Sequence, residues 1–199
     1  MSVKYNRVVK RNKDLIVFHM KQILDLCGLD VESPELVRTP ERFWEVLEKM
    51  TRGFEIDVLL NRTYEDAAKH ANLRILPAIP FVSICEHHLM PFYGDAVVAY
   101  VPKGRVTGLS KIPQLVEKYS LRPQLQERLT EQIAEELDET LDTIGVIVIT
   151  EARHTCMLIE GYTAGPYINS SVRGEFRETL NPRDEVLQIL QFSKSSQVV

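Results

Sequence analysis

The chain has 199 residues, of which 44% are apolar and 26% charged, with a formal net charge of −4. These are the proportions of a globular domain with one substantial core. They give no global attraction to nucleic acid or an anionic membrane surface, and no apolar run approaches the length that crosses a bilayer. The segment Met1-Ser-Val-Lys-Tyr-Asn-Arg7 lacks a signal peptide's apolar stretch, and three cysteines are an odd number for a disulfide framework. A cytoplasmic location is therefore expected, with thiols available to metal.

From Lys13 to Cys27 the apolar residues Leu15, Ile16, Met20, Ile23, Leu24 and Cys27 follow helical spacing and Gly28 ends the run, which predicts a first helix with Cys27 in its core. Thr39-Pro40-Glu41 offers a capping hydroxyl, a proline in the first turn and an acid beside the helix dipole. Phe43, Val46, Leu47 and Met50 carry that second helix to Gly53, and Trp44 is read as packing. Phe81–Cys85 and Ala96–Val101 read as strands around a turn region containing Pro91 and Gly94. Ser110 can cap a short helix bearing Ile112, Leu115, Val116 and Tyr119, and Leu125, Leu129, Ile133, Leu137 and Leu141 form an i, i+4 stripe on a longer one. Val146–Thr150 begins a strand expected to run on through His154 and Cys156, with a last strand from about Asn169 to Arg177.

The order predicts an α+β protein: N-terminal helices, then an antiparallel sheet with two helices on one face. The expected division is an N-terminal helical segment at 1–55, a catalytic domain at 56–192 and a flexible tail at 193–199. Alternation along a strand puts His154 and Cys156 on one face.

Cys85-Glu-His-His88, answered by His154-Thr-Cys156, is the constellation that carries chemistry. Cys85, His88 and Cys156 are two sulfur donors and one nitrogen donor, a set that suits Zn2+. Three protein ligands leave a fourth position for water, whose pKa zinc can bring to about 7. His87 and His154 stand beside the ligands as proton carriers. Hydrolysis of an electrophilic carbon is the reaction class this predicts, against the plainer reading of a closed structural zinc site.

Ser83-Ile-Cys-Glu-His-His-Leu-Met-Pro-Phe92, Gly108-Leu-Ser-Lys111, Gln124-Leu-Gln-Glu-Arg-Leu-Thr130, His154-Thr-Cys-Met157 and Gly174-Glu-Phe-Arg-Glu178 together resemble GTP cyclohydrolase I over roughly residues 35–190. The resemblance implies the tunnelling fold, a homo-oligomer that joins sheets into rings, usually a decamer of two pentamers, and active sites between subunits. It implies zinc on Cys85, His88 and Cys156, and proton transfers by His87 and His154 around N7 and C8 of a guanine nucleotide. It further implies loss of formate, assistance at the sugar by Ser110, and a dihydroneopterin-type product. Guanine is read by residues matching Gln126 and Glu127. A carboxylate accepts from the N1–H and the exocyclic amine together, an edge that adenine does not offer. Ser110 also has the plain reading of a helix cap, and Gln126 and Glu127 that of solvated helix residues.

The triphosphate clamp is where the chain departs from the family pattern. Arg42 and Lys111 match its cations, whereas Glu45, Gln114 and Glu160 stand at three other cationic positions. A like charge about 5 Å from a phosphate costs roughly 3 kcal/mol at an effective dielectric near 20. Arg153 and Arg173 are candidates to rebuild the anion site. GTP therefore competes as expected substrate with a guanine compound of fewer phosphates, and a non-catalytic purine-binding ring is the reading from another class.

Overall fold

The computed structural model describes residues 12–60, 72–162 and 165–178, together with 184, 186 and 188. The tail at 193–199 lies outside the described residues. Helix α1 spans Lys13–Leu26 and is capped by Asn12, whose Oδ1 accepts from the Leu15 N–H at 3.0 Å. It packs on α2, Thr39–Thr51, and buries no residue of its own, so Cys27 just past its end is exposed rather than core. Thr39 is not the cap of α2: Arg38 holds that place, and the Thr39 N–H is already donated to the Leu36 carbonyl at 2.8 Å. Pro40 and Trp44 are the buried residues of this helix.

A five-stranded sheet follows, in the order β3-β1-β2-β4-β5. Strand β1 runs Arg74–Cys85 and β2 runs Pro91–Pro102, both longer than the sequence pattern predicts. The first half of β1 is disguised by Pro77 and Pro80. Proline cannot donate to a ladder and is tolerated at irregular places, and here the register shifts between Leu76 and Ile79, with Ala78 at φ 55°. Strand β4, Thr143–His154, pairs antiparallel with β2, bringing Phe92 opposite His154. Strand β5, Tyr167–Gly174, closes that side. It stops short of the predicted Arg177 because Gly174 turns the chain at φ 63°, after which Glu175–Arg177 form a short 3-10 turn.

Helices α3, Lys111–Ser120, and α4, Gln126–Leu141, cover one face of the sheet, as their apolar stripes require. Leu129, Ile133, Ala134 and Leu137 of α4 lose all exposure against Val146, Val148 and Ala152 of β4 and their neighbours. Burying four such side chains contributes several kcal/mol at about 25 cal/mol per Å2. The opposite face has a smaller cluster, in which Phe176 packs on Ala99, Ile147 and Val186.

Between the helices lies a two-residue strand, β3, Pro123–Gln124, parallel to β1, so the α+β sheet is mixed at this edge rather than wholly antiparallel. That short pairing sets Gln124 beside Cys85 and starts α4 next to the end of β1. The β1–β2 connection thereby lands against the first turn of α4.

Candidate active site

Cys85 ends β1, and the following turn is closed at both ends: the Cys85 N–H donates to Met90 O and the Leu89 N–H to Cys85 O, each at 2.8 Å. Leu89 takes φ 53° to make the turn. Glu86 points away from the turn and accepts two bonds from the Arg128 guanidinium of α4, at 2.5 and 2.8 Å. The Glu86 N–H donates to Gln124 O at 3.0 Å. Backbone and side chain together fasten this turn to the start of α4.

Across from it, β4 ends at His154 and the chain coils into a short helix α5, Thr155–Ile159. The predicted strand through Cys156 is therefore not formed. Thr155 Oγ1 donates to Pro91 O at 2.6 Å and anchors the switch from strand to helix. His154 and Cys156 reach the same cavity by a change of structure, not by strand alternation. The ligand atoms of Cys85, His88 and Cys156 lie within 4.8 Å of one another, with Cys85 Sγ 3.7 Å from His88 Nδ1. Both sulfurs are buried and unpaired by disulfide.

The donor set fits a zinc ion. Burial first, and then the facing Cys85, push the Cys156 thiol above its ordinary pKa. Thiols are held as thiolates when they ligate a divalent cation, so a metal between these two sulfurs would offset that penalty.

These groups open onto a cavity of about 590 Å3 that also receives His87, Glu127, Arg153, His154 and Tyr167. His87 is exposed and meets His88 edge-on, with ring centroids 6.1 Å apart. His154 lies flat against Phe92, with centroids 4.6 Å apart and planes 5° from parallel. Its Nε2 is 2.8 Å from Gln126 Oε1. Burial lowers the His154 pKa, against the opposing pull of the Glu127 carboxylate, which favours a neutral imidazole. Glu127 is exposed at the cavity wall, and Gln126, also on that wall, is buried to 1% exposure.

The remaining sequence candidates lie elsewhere on the chain. Arg42 and Glu45 are exposed on α2. Ser110 holds the cap position of α3 but makes no capping side-chain bond, and Lys111 Nζ donates to Gln114 Oε1 at 3.1 Å. Glu160 is exposed at the end of α5. None of these six lines the cavity. Arg153 does, but Arg173 pairs with Glu131 and Glu135 of α4 at 3.6 and 3.3 Å and serves the helix–sheet contact. Sequence reasoning missed Phe92, Tyr167 and the Glu86–Arg128 pair. For Phe92 a signal existed in its place one residue past Pro91 at the start of β2, but the other contacts join segments far apart in the chain.

A family model described as GTP cyclohydrolase I matches residues 16–191. Similar curated proteins named GTP cyclohydrolase 1 include that of Bacillus subtilis, 42% identical over 89% of this chain and 95% of the relative. That of Hyperthermus butylicus is 40% identical over 90% and 92%, and that of Parabacteroides distasonis 36% over 95% and 98%. The apo crystal structure of archaeosine synthase QueF-Like is a partial structural neighbour, with TM-score 0.42 and 20% identity over 51% of this chain and 93% of that one. With a family match spanning nearly the whole sequence, and relatives at this identity along almost their full lengths, the chain belongs to the GTP cyclohydrolase I family.

Proposed function

We propose that this chain is a zinc-dependent hydrolase that opens the imidazole ring of a guanine nucleotide at C8, releasing formate and leaving a dihydroneopterin-type product. One observation carries the reading: Cys85, His88 and Cys156 converge within 4.8 Å at the wall of a cavity that also holds His87, His154 and Glu127. Zinc, when bound by those three residues, supplies a Lewis acid that makes water nucleophilic near neutral pH. The protein's own groups do the rest. Glu127 accepts from the N1–H and exocyclic amine of guanine and orients C8 toward the two thiols. His154, clamped by Phe92, and the exposed His87 take up and return protons around N7 and C8 as the ring opens.

In this reading Arg42, Ser110 and Lys111, which lie away from the cavity of their own chain, act at a neighbouring subunit's site, Ser110 at the sugar. The chain then assembles as homo-oligomeric rings of the tunnelling fold, with its helical segment at 1–55 and its catalytic domain at 56–192. Among the described residues, no helix is long and apolar enough to cross a membrane.

A second reading keeps the chemistry and changes the substrate to a guanine compound with fewer phosphates. It is favoured by the cavity's charge: among the described residues, Arg153 is the one Arg or Lys side chain on its wall. Formate release from GTP, GDP, GMP and guanosine by zinc-loaded protein separates the two. Turnover of GTP at or above that of GMP supports GTP, the reverse order supports the shorter substrate, and no formate from any of them refutes both.

A further inference from the structure

The side-chain amide of Gln126 is 1% exposed, and its orientation is dictated by its surroundings. Gln126 Nε2 lies 3.0 Å from the carbonyl oxygens of Thr150 and Tyr167, and 3.0 Å from Thr150 Oγ1. Carbonyl oxygens only accept, so the NH2 edge of the amide must face them; the flipped amide would set oxygen against two oxygens in a buried place. Gln126 Oε1 then faces His154 Nε2 at 2.8 Å, and the contact is a hydrogen bond only if the imidazole donates.

The hydroxyls around the amide agree with this assignment. Thr130 Oγ1 donates to the Gln126 carbonyl at 2.7 Å, which uses its hydrogen, so Thr150 Oγ1 donates to Thr130 Oγ1 at 2.8 Å and is left as an acceptor. Both threonines are fully buried. The donors therefore run one way, from Thr150 to Thr130 to the backbone of α4, and leave the Gln126 amide no alternative orientation. Phe92 fixes the plane of the His154 ring while Gln126 fixes its edge.

We propose that Gln126 is a positioning residue whose Oε1 keeps a proton on Nε2 of His154, leaving Nδ1 as the ring atom turned to other partners. The hydrogen bond made by one imidazole nitrogen decides which chemistry the other performs. Both amide hydrogens of Gln126 are shared among three acceptors of the chain itself, so no side-chain N–H of Gln126 remains to read a purine, and side-chain recognition of the base falls to Glu127. The kinetic consequence rests on the proposed proton-transfer role of His154; the tautomer itself does not.

The decisive measurement is magic-angle-spinning NMR of zinc-loaded protein carrying 13C,15N-histidine at pH 8, with His154 identified by difference from His154→Asn. A protonated Nε2 with a pyridine-like Nδ1 is expected, and any other protonation pattern at His154 overturns the assignment. Gln126→Met keeps the side-chain volume and removes the hydrogen bonds. It should lower kcat at least about tenfold while KM for the guanine substrate moves by less than about threefold. A raised KM at unchanged kcat would instead mean that the amide contacts the purine, and would refute the positioning role. Should the wild-type protein turn over no guanine compound, the NMR result still decides the tautomer independently of the activity.

Discussion

Arg128 holds Glu86, the residue between Cys85 and the histidine pair, and cutting that tie should loosen the proposed metal site without touching a ligand. The pair makes two hydrogen bonds, at 2.5 and 2.8 Å, with side-chain exposures of 23% for Arg128 and 21% for Glu86. At a charge separation near 4 Å and an effective dielectric of 20 the attraction is about 4 kcal/mol, and partial desolvation offsets roughly half of it. A net coupling of about 2 kcal/mol is left, equivalent to about 30-fold in an equilibrium constant. The perturbation is a double-mutant cycle of Glu86→Gln, Arg128→Met and the double variant. Zinc affinity is read by competition with a chromophoric chelator, and stability of the metal-free chain by urea unfolding. Each single change should weaken zinc binding by about 10- to 100-fold, as loss of supporting contacts around metal ligands does. The double change should cost less than the two effects multiplied together. If the effects simply multiply, within about twofold, the tie does not organise the turn and the reasoning fails.

Cys156→Ser should reduce bound zinc from about one per chain to less than about 0.2 by elemental analysis while far-UV dichroism is retained, and full zinc in that variant would remove the metal site. Glu127→Gln should raise KM for the guanine substrate about 10- to 100-fold with kcat within about threefold; the opposite pattern would deny it a role in reading the base. Leu137→Ala removes a fully buried side chain from the α4 contact and should cost about 2–5 kcal/mol in urea unfolding, a loss below about 1 kcal/mol contradicting the packing described. A Cβ on Gly94 would stand 1.9 Å from Glu151 O and 2.7 Å from Ala152 Cα. Gly94→Ala must therefore part β2 from β4, and should cost on the order of 3 kcal/mol by the same assay, whereas an unchanged midpoint would contradict that close approach.

Much of the fold was legible because periodicity records burial. The leucine–isoleucine stripe of α4 lost all exposure from Leu129 onward, and the grouping of Cys85, His88 and Cys156 was legible because their residue types mark them as a candidate donor set. Where local pattern and tertiary structure part, the reading failed. Pro77 and Pro80 hid the first half of β1: a bulge absorbs Pro77, and Pro80 sits in register opposite Asp95, neither of which a local rule signals. Cys156 was given to a strand because nothing in His-Thr-Cys announces that Thr155 bonds Pro91 and starts a helix. Cys27 fell on an apparent core face, yet no residue of α1 is fully buried in the described structure. For Gln126, identity alone gave no sign of its hydrogen bonds within the chain, since their partners come from β4 and β5, 24 and 41 residues away.

Successive residues on a helix are turned by about 100°, so the three that open α4 look in three directions. Gln126 faces inward to His154, Glu127 faces the cavity and Arg128 reaches back to Glu86. One added or deleted residue between Gln124 and Gln126 would swing all three off target in a single step. This short stretch thus tolerates exchange of side chains far better than any change in its length.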